Sequence, residues 1–370
     1  METRNFGKTG LKCSLLGFGG FHLLEIDQQE ASKLLNSYLD AGGSYVETAA
    51  SYGDGESERK VGLAISHRRS EYMLVSKSNR RDKASFLYEL NRSLKNLRTD
   101  HLDVILMHGV ANRDELDQIL APGGAMEGFI EAREQGKVNF VGLSMHGQSD
   151  ILIEALQRYQ FDAVMATINY YDRFNFPEIE NKLIPLANEQ GCAIILMKPV
   201  GDGLLWRSAP VAFRYAFSQP VSVVVAGMNT REMLELDLKL AEEFKPMSEA
   251  EKESLYQDAP ELGNYVCRQC DKCLPCPENI NIPHIFMLEG YFDRQMRDGD
   301  VRDPAEFALR DRLRFWFGNS ERAQAEYEQL AVKVDACTKC GICSERCPYG
   351  IDVVRKLHIA DYKLAGREIF

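Results

Sequence analysis

Short apolar runs rich in β-branched residues recur through the first two thirds of the chain, with helical patterns between them. Each run is almost continuously hydrophobic, which is typical of strands buried on both faces of a parallel sheet. The runs lie about 30 residues apart, and eight such strand–helix units predict an α/β fold, a (β/α)₈ TIM barrel. A doubly wound open sheet is the alternative, but it rarely needs eight evenly spaced units. The predicted strand ends lie near Gly19, Glu47, Lys77, His108, Ser144, Asn169, Lys198 and Gly227.

The domain boundary follows from where this repeat stops. A chain of 370 residues is too long for one average domain. After the eighth predicted helix, Lys245-Pro-Met-Ser begins a new element, and Ser248 with Glu251 forms a capping-box pattern. We therefore predict a barrel over residues 1–245, a linker helix over 246–262 and a second, cysteine-rich domain over 263–370.

Composition narrows the class of protein without identifying it. Hydrophobic residues make up 45% and charged residues 27% of the chain, which is ordinary for a globular protein. The formal net charge is −11 and no basic run is present, which argues against nucleic acid and anionic membranes as partners. No apolar stretch is long enough to span a bilayer, and the first residues lack the apolar core of a signal peptide.

Four polar residues follow three consecutive strands of the predicted barrel. Glu47 and Tyr52 follow strand 2, Lys77 ends strand 3 and His108 ends strand 4. Any one of them alone is more often a packing or core residue, but neighbouring strands of a barrel bring these ends side by side. A nearby Lys favours the phenolate of a Tyr, whose free pKa is about 10, and a carboxylate keeps that Lys charged. A His that donates to a carbonyl oxygen completes a proton-donor set for carbonyl reduction by hydride transfer.

These residues lie in segments that resemble the aldo-keto reductase family over about residues 4 to 240. The segments are Tyr45-Val-Glu-Thr-Ala-Ala-Ser-Tyr-Gly, Glu56-Ser-Glu-Arg-Lys-Val-Gly, Val75-Ser-Lys and Leu106-Met-His. The resemblance implies a barrel that binds NADP(H) or NAD(H) without a Rossmann fold. It also implies that Glu47, Tyr52, Lys77 and His108 are the catalytic tetrad. The family usually has Asp at the position of Glu47.

The resemblance also implies a set of nucleotide contacts on the loops after the strands. Lys198-Pro-Val-Gly-Asp-Gly resembles the pyrophosphate loop, and Gly227-Met-Asn-Thr-Arg resembles the loop that receives the adenosine phosphate at a helix start. Met145 and Met165 depart from the family, whose residues there hold the nicotinamide amide. The predicted cofactor contacts are Gly19, Gly20, Ser144, His146, Asn169, Lys198, Pro199, Val200, Gly201, Gly203, Gly227, Met228, Asn229, Arg231 and Asp237. Asp237 stands where the family has an Asn, so the choice between NADP and NAD stays open.

The cysteines predict the chemistry of the second domain. Eight of the ten lie in two runs, and the second run has the C-x₂-C-x₂-C-x₃-C-P spacing of [4Fe–4S] ligands. In that pattern the fourth Cys of each run serves the other cluster. One predicted cluster therefore uses Cys267, Cys270, Cys273 and Cys347, and the other uses Cys337, Cys340, Cys343 and Cys276. Zinc is the alternative, but zinc ribbons separate their C-x₂-C pairs by about 15 residues or more.

The span between the two runs, Pro304 through Leu330, has a helical pattern, so the domain resembles an all-helical two-cluster ferredoxin. Gly341-Ile-Cys and Pro348-Tyr-Gly-Ile-Asp fit aldo-keto reductase-like proteins that carry such a domain. Thiolate-bound clusters also predict a reducing, cytoplasmic location.

The favoured interpretation is an NAD(P)H-dependent enzyme that interconverts a small carbonyl and its alcohol, with two clusters that contact an electron-transfer partner or serve structure. The alternative is an electron-transfer protein whose barrel no longer uses nicotinamide or uses a flavin, because a two-electron hydride and a one-electron cluster normally exchange through a flavin. Dehydration with a cluster as Lewis acid needs an iron without a protein ligand, and eight available thiolates argue against it.

Overall fold

The computed structural model describes residues 1–296 and 317–367, and it confirms the predicted barrel. Eight parallel strands close on themselves in chain order, with the last strand paired to the first. A separate antiparallel hairpin precedes them, formed by β1 (Thr3–Asn5) and β2 (Lys12–Ser14). The barrel strands are β3 (Leu16–Gly19), β4 (Tyr45–Glu47), β5 (Met73–Ser78), β6 (Leu102–Met107), β7 (Val138–Met145), β8 (Ala163–Thr167), β9 (Ala193–Met197) and β10 (Val223–Gly227).

Helices alternate with the strands, as the sequence pattern predicts. Several begin at a side chain that accepts a backbone N–H of the first turn, as Asp27, Asp82 and Thr230 do. The helices of this part are α1 (Gln28–Asp40), α2 (Glu56–Ile65), α3 (Lys83–Leu97), α4 (Arg113–Leu120), α5 (Ala125–Glu134), α6 (Asp150–Arg158), α7 (Ile184–Gln190), α8 (Ala209–Phe217) and α9 (Arg231–Glu242). None of the helices within the described ranges is long and apolar enough to cross a membrane.

The interior of the barrel is one apolar cluster. Alternate residues of each strand point inward, so Met73 and Val75 of β5 both belong to this core. Phe6 and Cys13 come from the N-terminal hairpin, are fully buried and pack into the same cluster. The hairpin is therefore part of the barrel core, although its strands pair only with each other.

The chain divides into two compact units, and the division does not follow the sequence in one cut. The first unit comprises Met1–Ile168, Glu178–Pro199 and Ala209–Pro246. The second comprises Asn169–Pro177, Val200–Ser208 and Met247–Phe370. The segments that follow β8 and β9 along the chain thus group with the C-terminal region, whereas sequence analysis assigned them to the barrel domain.

The second unit is helical in its described part. The capping box predicted from Ser248 and Glu251 is present at the start of α10 (Glu249–Asp258). Part of the predicted Pro304–Leu330 helix, residues 304–316, lies outside the described residues, and the remainder contains a helix, α12. The helices after α10 are α11 (Ile282–Asp293), α12 (Ser320–Glu328), α13 (Ile342–Glu345) and α14 (Val353–Leu364).

A buried ion pair holds the segment after β8 within the second unit. Arg294, fully buried just after α11, donates from Nε to Asp172 Oδ1 at 2.7 Å and from Nη2 to Asp172 Oδ2. Phe317 covers the guanidinium at 4.0 Å from its ring centroid. Tyr171 adds a hydrogen bond from its hydroxyl to the Arg294 carbonyl, at 3.1 Å. Residues about 120 positions apart are therefore joined by a bidentate, solvent-free contact.

Removing the charge of Asp172 should destabilise the second unit strongly. Asp172→Asn leaves the Arg294 guanidinium buried without its counter-charge, and we expect the free energy of unfolding to fall by about 3–5 kcal/mol. Guanidinium unfolding followed by helical circular dichroism measures this. The control is Glu235→Gln, which breaks the exposed Arg231–Glu235 pair and should leave the free energy of unfolding almost unchanged. Equal, small losses in both variants would show that the buried pair does not stabilise the unit.

Candidate functional site

A charged lysine takes an interior position of the barrel. Lys77 follows Met73 and Val75 on the inward face of β5, and only 2% of its surface is exposed. Burying an ammonium is costly unless it is paired and hydrogen-bonded. The neighbouring strand β4 supplies the partner, because it pairs in parallel with β5 and ends at Glu47.

Three acceptors surround the Lys77 ammonium. Nζ donates to Glu47 Oε1, to the Thr48 carbonyl at 3.0 Å and to the Tyr52 hydroxyl at 3.1 Å. The same ammonium lies 4.8 Å from the centre of the Tyr52 ring. The structure thus brings together three of the predicted tetrad residues. The extra methylene of Glu47, compared with the family's usual Asp, does not prevent the contact with Lys77.

The charges of this cluster set the protonation of Tyr52. Burial raises the pKa of the Tyr52 hydroxyl above its usual value of 10.0; Lys77 lowers it in part and Glu47 raises it again. The expectation from sequence, that Lys77 lowers the pKa of Tyr52, is therefore wrong for the net shift, because burial outweighs the effect of Lys77. For Lys77, burial alone would lower the pKa, but Glu47 and Tyr52 together raise it above its ordinary value. Tyr52 is therefore a phenol and Lys77 an ammonium at neutral pH.

His108 lies beside Tyr52, with the two rings at 5.7 Å in an edge-to-face arrangement. Burial, followed by the charges of Lys77, His146 and Arg81, holds the pKa of its imidazole well below 6.5. The ring is therefore neutral at physiological pH. Its Nδ1 lies 3.2 Å from Ser51 Oγ and 2.9 Å from Asn79 Oδ1. Asn79 Oδ1 can only accept, so in this arrangement Nδ1 carries the proton and Nε2 is the unprotonated nitrogen. Turning the Asn79 amide over, so that its nitrogen donates to Nδ1, would move the proton to Nε2, from which the ring could donate to a substrate oxygen.

The residues that orient His108 were not found by sequence reasoning. Ser51 precedes Tyr52 in the same loop, and Asn79 follows β5 directly. Arg81 Nη2 donates to the His108 carbonyl at 2.7 Å and also binds Glu115 at 2.8 Å, which fixes the loop that carries His108. The run Ser78-Asn-Arg-Arg after Lys77 was the available signal, because polar residues at a barrel strand end contribute to the site.

Three of the predicted cofactor glycines have a packing explanation. A Cβ on Gly20 would lie 2.8 Å from the Glu47 carbonyl, and one on Gly227 would lie 2.3 Å from His22 Cδ2. Gly19 is similarly tight against Ala226. These glycines are therefore required where β3 and β10 end, whether or not a nucleotide binds there.

The loop after β10 makes polar contacts within the barrel unit. Asn229 Nδ2 donates to Glu25 Oε2 at 2.6 Å, and Met228 is fully buried. Arg231, predicted to contact a 2′-phosphate, pairs with Glu235 at 2.6 Å on the exposed side of α9. Asp237 is buried, and burial raises the pKa of its carboxyl to about 7. The adenosine side of the predicted site is therefore rich in carboxylates.

The remaining barrel-unit candidates follow β7 and β9. Ser144 is buried near the end of β7, and its Oγ accepts the Gly109 N–H at 3.1 Å. His146 is close enough to His108 to lower the pKa of that imidazole. Lys198 has a left-handed backbone with φ of 61° and is followed by the buried Pro199.

Four cofactor candidates lie in the second unit. The Asn169 side chain is fully buried; its Nδ2 donates to Asp172 Oδ2 at 2.7 Å, and its Oδ1 accepts the Tyr171 and Asp172 N–H groups. Its amide thus supports the turn that presents Asp172 to Arg294. Gly201 and Gly203 have positive φ in the tight turn after Val200, whose carbonyl accepts the Gly203 N–H at 3.1 Å.

The eight clustered cysteines form two groups in the second unit. Burial raises the pKa of the Cys267 thiol to about 11, and the charges of Cys270 and Cys347 act on it in the same direction. Cys273 interacts electrostatically with Cys267 and Cys270, and also with Cys343 of the other group. The last cysteine of the second run thus lies near the start of the first run, as the crossed ligand pattern predicts.

The cysteines of the other group line a small, partly open cavity. Cys337, Cys340, Cys343 and Cys276 line it, together with Cys273 and apolar side chains. A cavity walled by thiols and apolar groups fits a cluster whose irons are bound only by thiolates. No three His, Cys, Asp or Glu side chains of residues 1–296 and 317–367 are arranged to hold a single metal ion.

Comparisons with known proteins agree with both halves of this description. Residues 15–209 match the aldo/keto reductase family, and residues 266–352 match the 4Fe-4S dicluster domain. The chain belongs to the aldo/keto reductase family and carries a C-terminal 4Fe-4S dicluster domain, and the prediction of both is confirmed. The dicluster match favours iron–sulfur clusters over zinc.

The relatives cover the barrel half of the chain. An uncharacterized oxidoreductase of Bacillus subtilis, YqkF, is 27% identical over 217 residues, which are 55% of this chain and 67% of the relative. An aryl-alcohol dehydrogenase of Pestalotiopsis microspora is 27% identical over 199 residues, and the chain spans half its length. An aldo-keto reductase of Klebsiella pneumoniae, solved in complex with NADPH, has a TM-score of 0.59 at 20% identity and matches 69% of this chain and 94% of its own. That structural likeness shows the shared fold.

Removing the Tyr52 hydroxyl should abolish most of the turnover of an aldehyde, because it takes away the proton donor beside Lys77. We expect Tyr52→Phe to lower kcat by about 10²–10⁴-fold, the usual contribution of a general acid. The measurement is nicotinamide oxidation with an aromatic aldehyde. Tyr45→Phe is the matched control, because the Tyr45 hydroxyl is buried and has no hydrogen-bond partner in the described part of the chain. A Tyr52→Phe variant as active as Tyr45→Phe would exclude Tyr52 as the donor.

The imidazole of His108 should not titrate between pH 8 and pH 6. Its folded pKa lies well below 6.5, so below pH 6.5 the unfolded chain binds a proton that the folded protein does not. The contribution of His108 to stability is therefore complete above pH 6.5 and is lost as the pH falls through the folded pKa. Carbon-13 NMR of labelled histidines, with His108→Gln for assignment, measures this. A resonance that moves with a midpoint near 6.5 would contradict it.

Proposed function

We propose that the barrel interconverts a small carbonyl compound and its alcohol, with NADPH or NADH as the hydride donor for reduction. The observation that carries the proposal is the contact of the Lys77 ammonium with both Glu47 and the Tyr52 hydroxyl. When bound, the nicotinamide supplies two electrons and a hydrogen to the carbonyl carbon. The family match and the NADPH in the Klebsiella pneumoniae structure support this choice of cofactor.

The protein residues then complete the reaction with one proton. The Tyr52 hydroxyl donates its proton to the carbonyl oxygen as negative charge develops there, and the C=O group becomes CH–OH. Lys77 stabilises the phenolate that remains, because its ammonium is 3.1 Å from that oxygen. Glu47 keeps Lys77 charged. With the Asn79 amide turned over so that its nitrogen donates to Nδ1, the neutral His108 carries its proton on Nε2 and donates from there to the same substrate oxygen. The phenolate regains a proton from solvent before the next turnover.

Some of the predicted nucleotide contacts are compatible with a bound cofactor in this structure, and others are not. Gly19, Gly20 and Gly227 stay in the proposed set because they lie where β3 and β10 end, although protein atoms fill the space beside them. Ser144 with His146 remains our proposed contact for the nicotinamide amide. The carboxylates near Arg231 favour NADH over NADPH, because they oppose a 2′-phosphate. We leave Asn169 out of the proposed contacts, because the turn around Asp172 already uses its amide.

We propose that the second unit holds two [4Fe–4S] clusters. Cys267, Cys270, Cys273 and Cys347 would hold cluster A. Cys337, Cys340, Cys343 and Cys276 would hold cluster B, which would occupy the thiol-lined cavity. Each cluster takes one electron at a time, so a soluble one-electron carrier protein is the natural partner, in a reducing compartment such as the cytoplasm. No step of the carbonyl chemistry is assigned to the clusters.

A second candidate function is an electron-transfer protein whose barrel has lost nicotinamide chemistry. Met165 lies within the apolar core of the barrel, at a position where the family binds the nicotinamide amide. The hydrogen bond of Asn169 to Asp172 and the ion pair of Arg231 with Glu235 also favour this alternative, because both side chains were predicted to contact the nucleotide and already have protein partners. The complete Glu47–Lys77–Tyr52 cluster favours the enzyme.

An anaerobic titration of the iron-loaded protein with NADH and then NADPH separates the two functions. We expect the nicotinamide absorbance to shift on binding, more strongly for NADH, without bleaching of the cluster band. Bleaching would place the clusters in the nicotinamide pathway and require a bound flavin or another two-to-one electron converter. No response to either nucleotide would overturn the proposed reductase and leave the electron-transfer protein.

A further inference from the structure

The two cysteine runs differ at the residue that follows their first cysteine. In the first run this residue is Arg268, in Cys267-Arg-Gln-Cys; in the second it is Thr338, in Cys337-Thr-Lys-Cys. Arg268 is 6% exposed, whereas Thr338 and the neighbouring Lys339 are exposed. The difference is therefore a buried positive charge next to one ligand set only.

Backbone carbonyls alone satisfy the buried guanidinium of Arg268. Nε donates to the Tyr256 carbonyl at 3.0 Å, and Nη1 donates to the carbonyls of Leu262 and Val266. Within residues 1–296 and 317–367, Nη2 has no hydrogen-bond partner and no carboxylate pairs with this arginine. Carbonyl oxygens orient the group but leave its full charge uncompensated, which is costly in a buried position unless a negative group lies nearby.

The guanidinium lies close enough to three proposed ligands of cluster A, Cys267, Cys347 and Cys270, to interact with them electrostatically. Arg268 follows Cys267 directly, and its guanidinium carbon stands 4.7 Å from the ring centroid of Tyr349. Tyr349 is two residues after Cys347. Arg268 is therefore close to the part of the proposed ligand set that comes from the first cysteine run and to the part that comes from the second. A cluster bound there by four thiolates would supply the negative charge that no protein group supplies to Arg268.

The other buried cations near cluster A are neutralised by the protein. Lys356 lies 3.5 Å from the ring centroid of Tyr265 and pairs with Glu289 at 2.7 Å. Lys363 pairs with Glu289 at 2.9 Å and with Asp293 at 2.8 Å. Two ammonium groups and two carboxylates thus balance each other, so Arg268 supplies the net positive charge on this side of the unit.

Electrostatics connects this asymmetry to redox behaviour. Adding an electron makes a cluster more negative, so a nearby cation stabilises the reduced form more than the oxidised form and raises the reduction potential. A buried cation acts more strongly than an exposed one, because water and salt screen exposed charges such as Lys339. The cluster beside Arg268 is therefore the one that is reduced more easily.

We propose that Arg268 makes cluster A the higher-potential cluster, so that a single electron entering the unit moves from cluster B to cluster A and rests there. This inference rests on the ligand sets of the proposed function. The transfer oxidises cluster B by one electron and reduces cluster A by one, with no bond or proton exchanged. An external one-electron carrier protein supplies the electron.

The electron then rests at the cluster that is linked to the segment following β8. The Gln295 side chain, 1% exposed, accepts the Cys267 N–H at 2.8 Å and donates to the Phe174 carbonyl at 3.4 Å. One side chain thus joins a cluster A ligand to the Asn169–Pro177 segment, which the Asp172–Arg294 pair holds. Arg268 is in this view a positioning residue for charge, since it is not itself a cluster ligand.

The test is a redox titration of the iron-loaded, full-length protein, followed by electron paramagnetic resonance. Wild type should show two one-electron steps. In Arg268→Met we expect the upper step to move down so that the equilibrium constant between the two singly reduced forms falls about tenfold, equivalent to about 59 mV for a one-electron couple. Arg268→Lys keeps the charge and should retain most of the gap. Lys339→Met, the matched loss of an exposed charge beside cluster B, should move neither step appreciably.

Several outcomes would overturn the proposal. We expect Arg268→Met to lower only the higher of the two reduction potentials. If it lowers the other potential, or leaves both in place, Arg268 does not set the order of the clusters. Equal shifts in Arg268→Lys and Arg268→Met would assign the effect to lost hydrogen bonds. Iron and sulfide analysis separates these results from failure of the ligand sets, which would leave fewer than two clusters per chain.

A salt series on the wild-type protein tests the same inference without any substitution. If a buried charge sets the difference between the two reduction potentials, that difference should persist at high ionic strength. A group removed from solvent is screened much less than a surface charge. A gap that closes as salt is added would assign the difference to exposed residues and overturn the proposal. This measurement remains decisive if the Arg268 variants do not fold.

Discussion

Neutralising buried positive charge is the constraint on which both units of this chain depend. A buried ammonium or guanidinium is costly unless a counter-charge or several acceptors meet it. The barrel meets this condition for Lys77 with Glu47, and the second unit meets it for Arg294 with Asp172. In the barrel the Glu47–Lys77 pair serves the proposed chemistry, because the same ammonium also contacts the Tyr52 hydroxyl. In the second unit the Asp172–Arg294 pair joins the segment after β8 to the residue that follows α11.

Arg268 departs from this rule, and the departure is informative. Its acceptors are carbonyl oxygens, which carry only partial charge. The negative group that completes its environment is the proposed cluster itself, so folding, cluster binding and reduction potential are linked at one residue. Thr338, at the corresponding position of the second run, makes no such demand because it is exposed. Two similar cysteine motifs thus acquire different electrostatic surroundings.

The segments that follow the barrel strands differ in the compact unit to which they belong. In a parallel barrel the segments after the strands are the natural place for cofactor and substrate contacts. Here the segments after β8 and β9 belong to the second compact unit, and Asn169 is committed to a turn that presents Asp172. The segments after β4, β5 and β6 keep the proton-donor cluster. The proposed carbonyl chemistry and the second unit therefore draw on different strand ends of the same repeat.

The sequence by itself determined the barrel, the residues of the tetrad and the eight cysteines. The reason is that these features are periodic or closely spaced: buried strands repeat along the chain, parallel strands end at the same edge, and the cysteine spacing is local. Glu47, Lys77 and His108 were predictable together because each ends or follows a neighbouring strand.

Only the tertiary structure decided which partner each buried charge receives and how strongly it is shielded from water. Asp172 and Arg294 carry no common motif, and their contact depends on how distant segments pack. The direction of the Tyr52 pKa required knowledge of its burial, which outweighs the Lys77 charge that the sequence displays. The same holds for Arg268, whose importance comes from its burial beside Tyr349 and not from its position after Cys267 alone. Spacing along a chain is local information, whereas desolvation is a property of the packed whole.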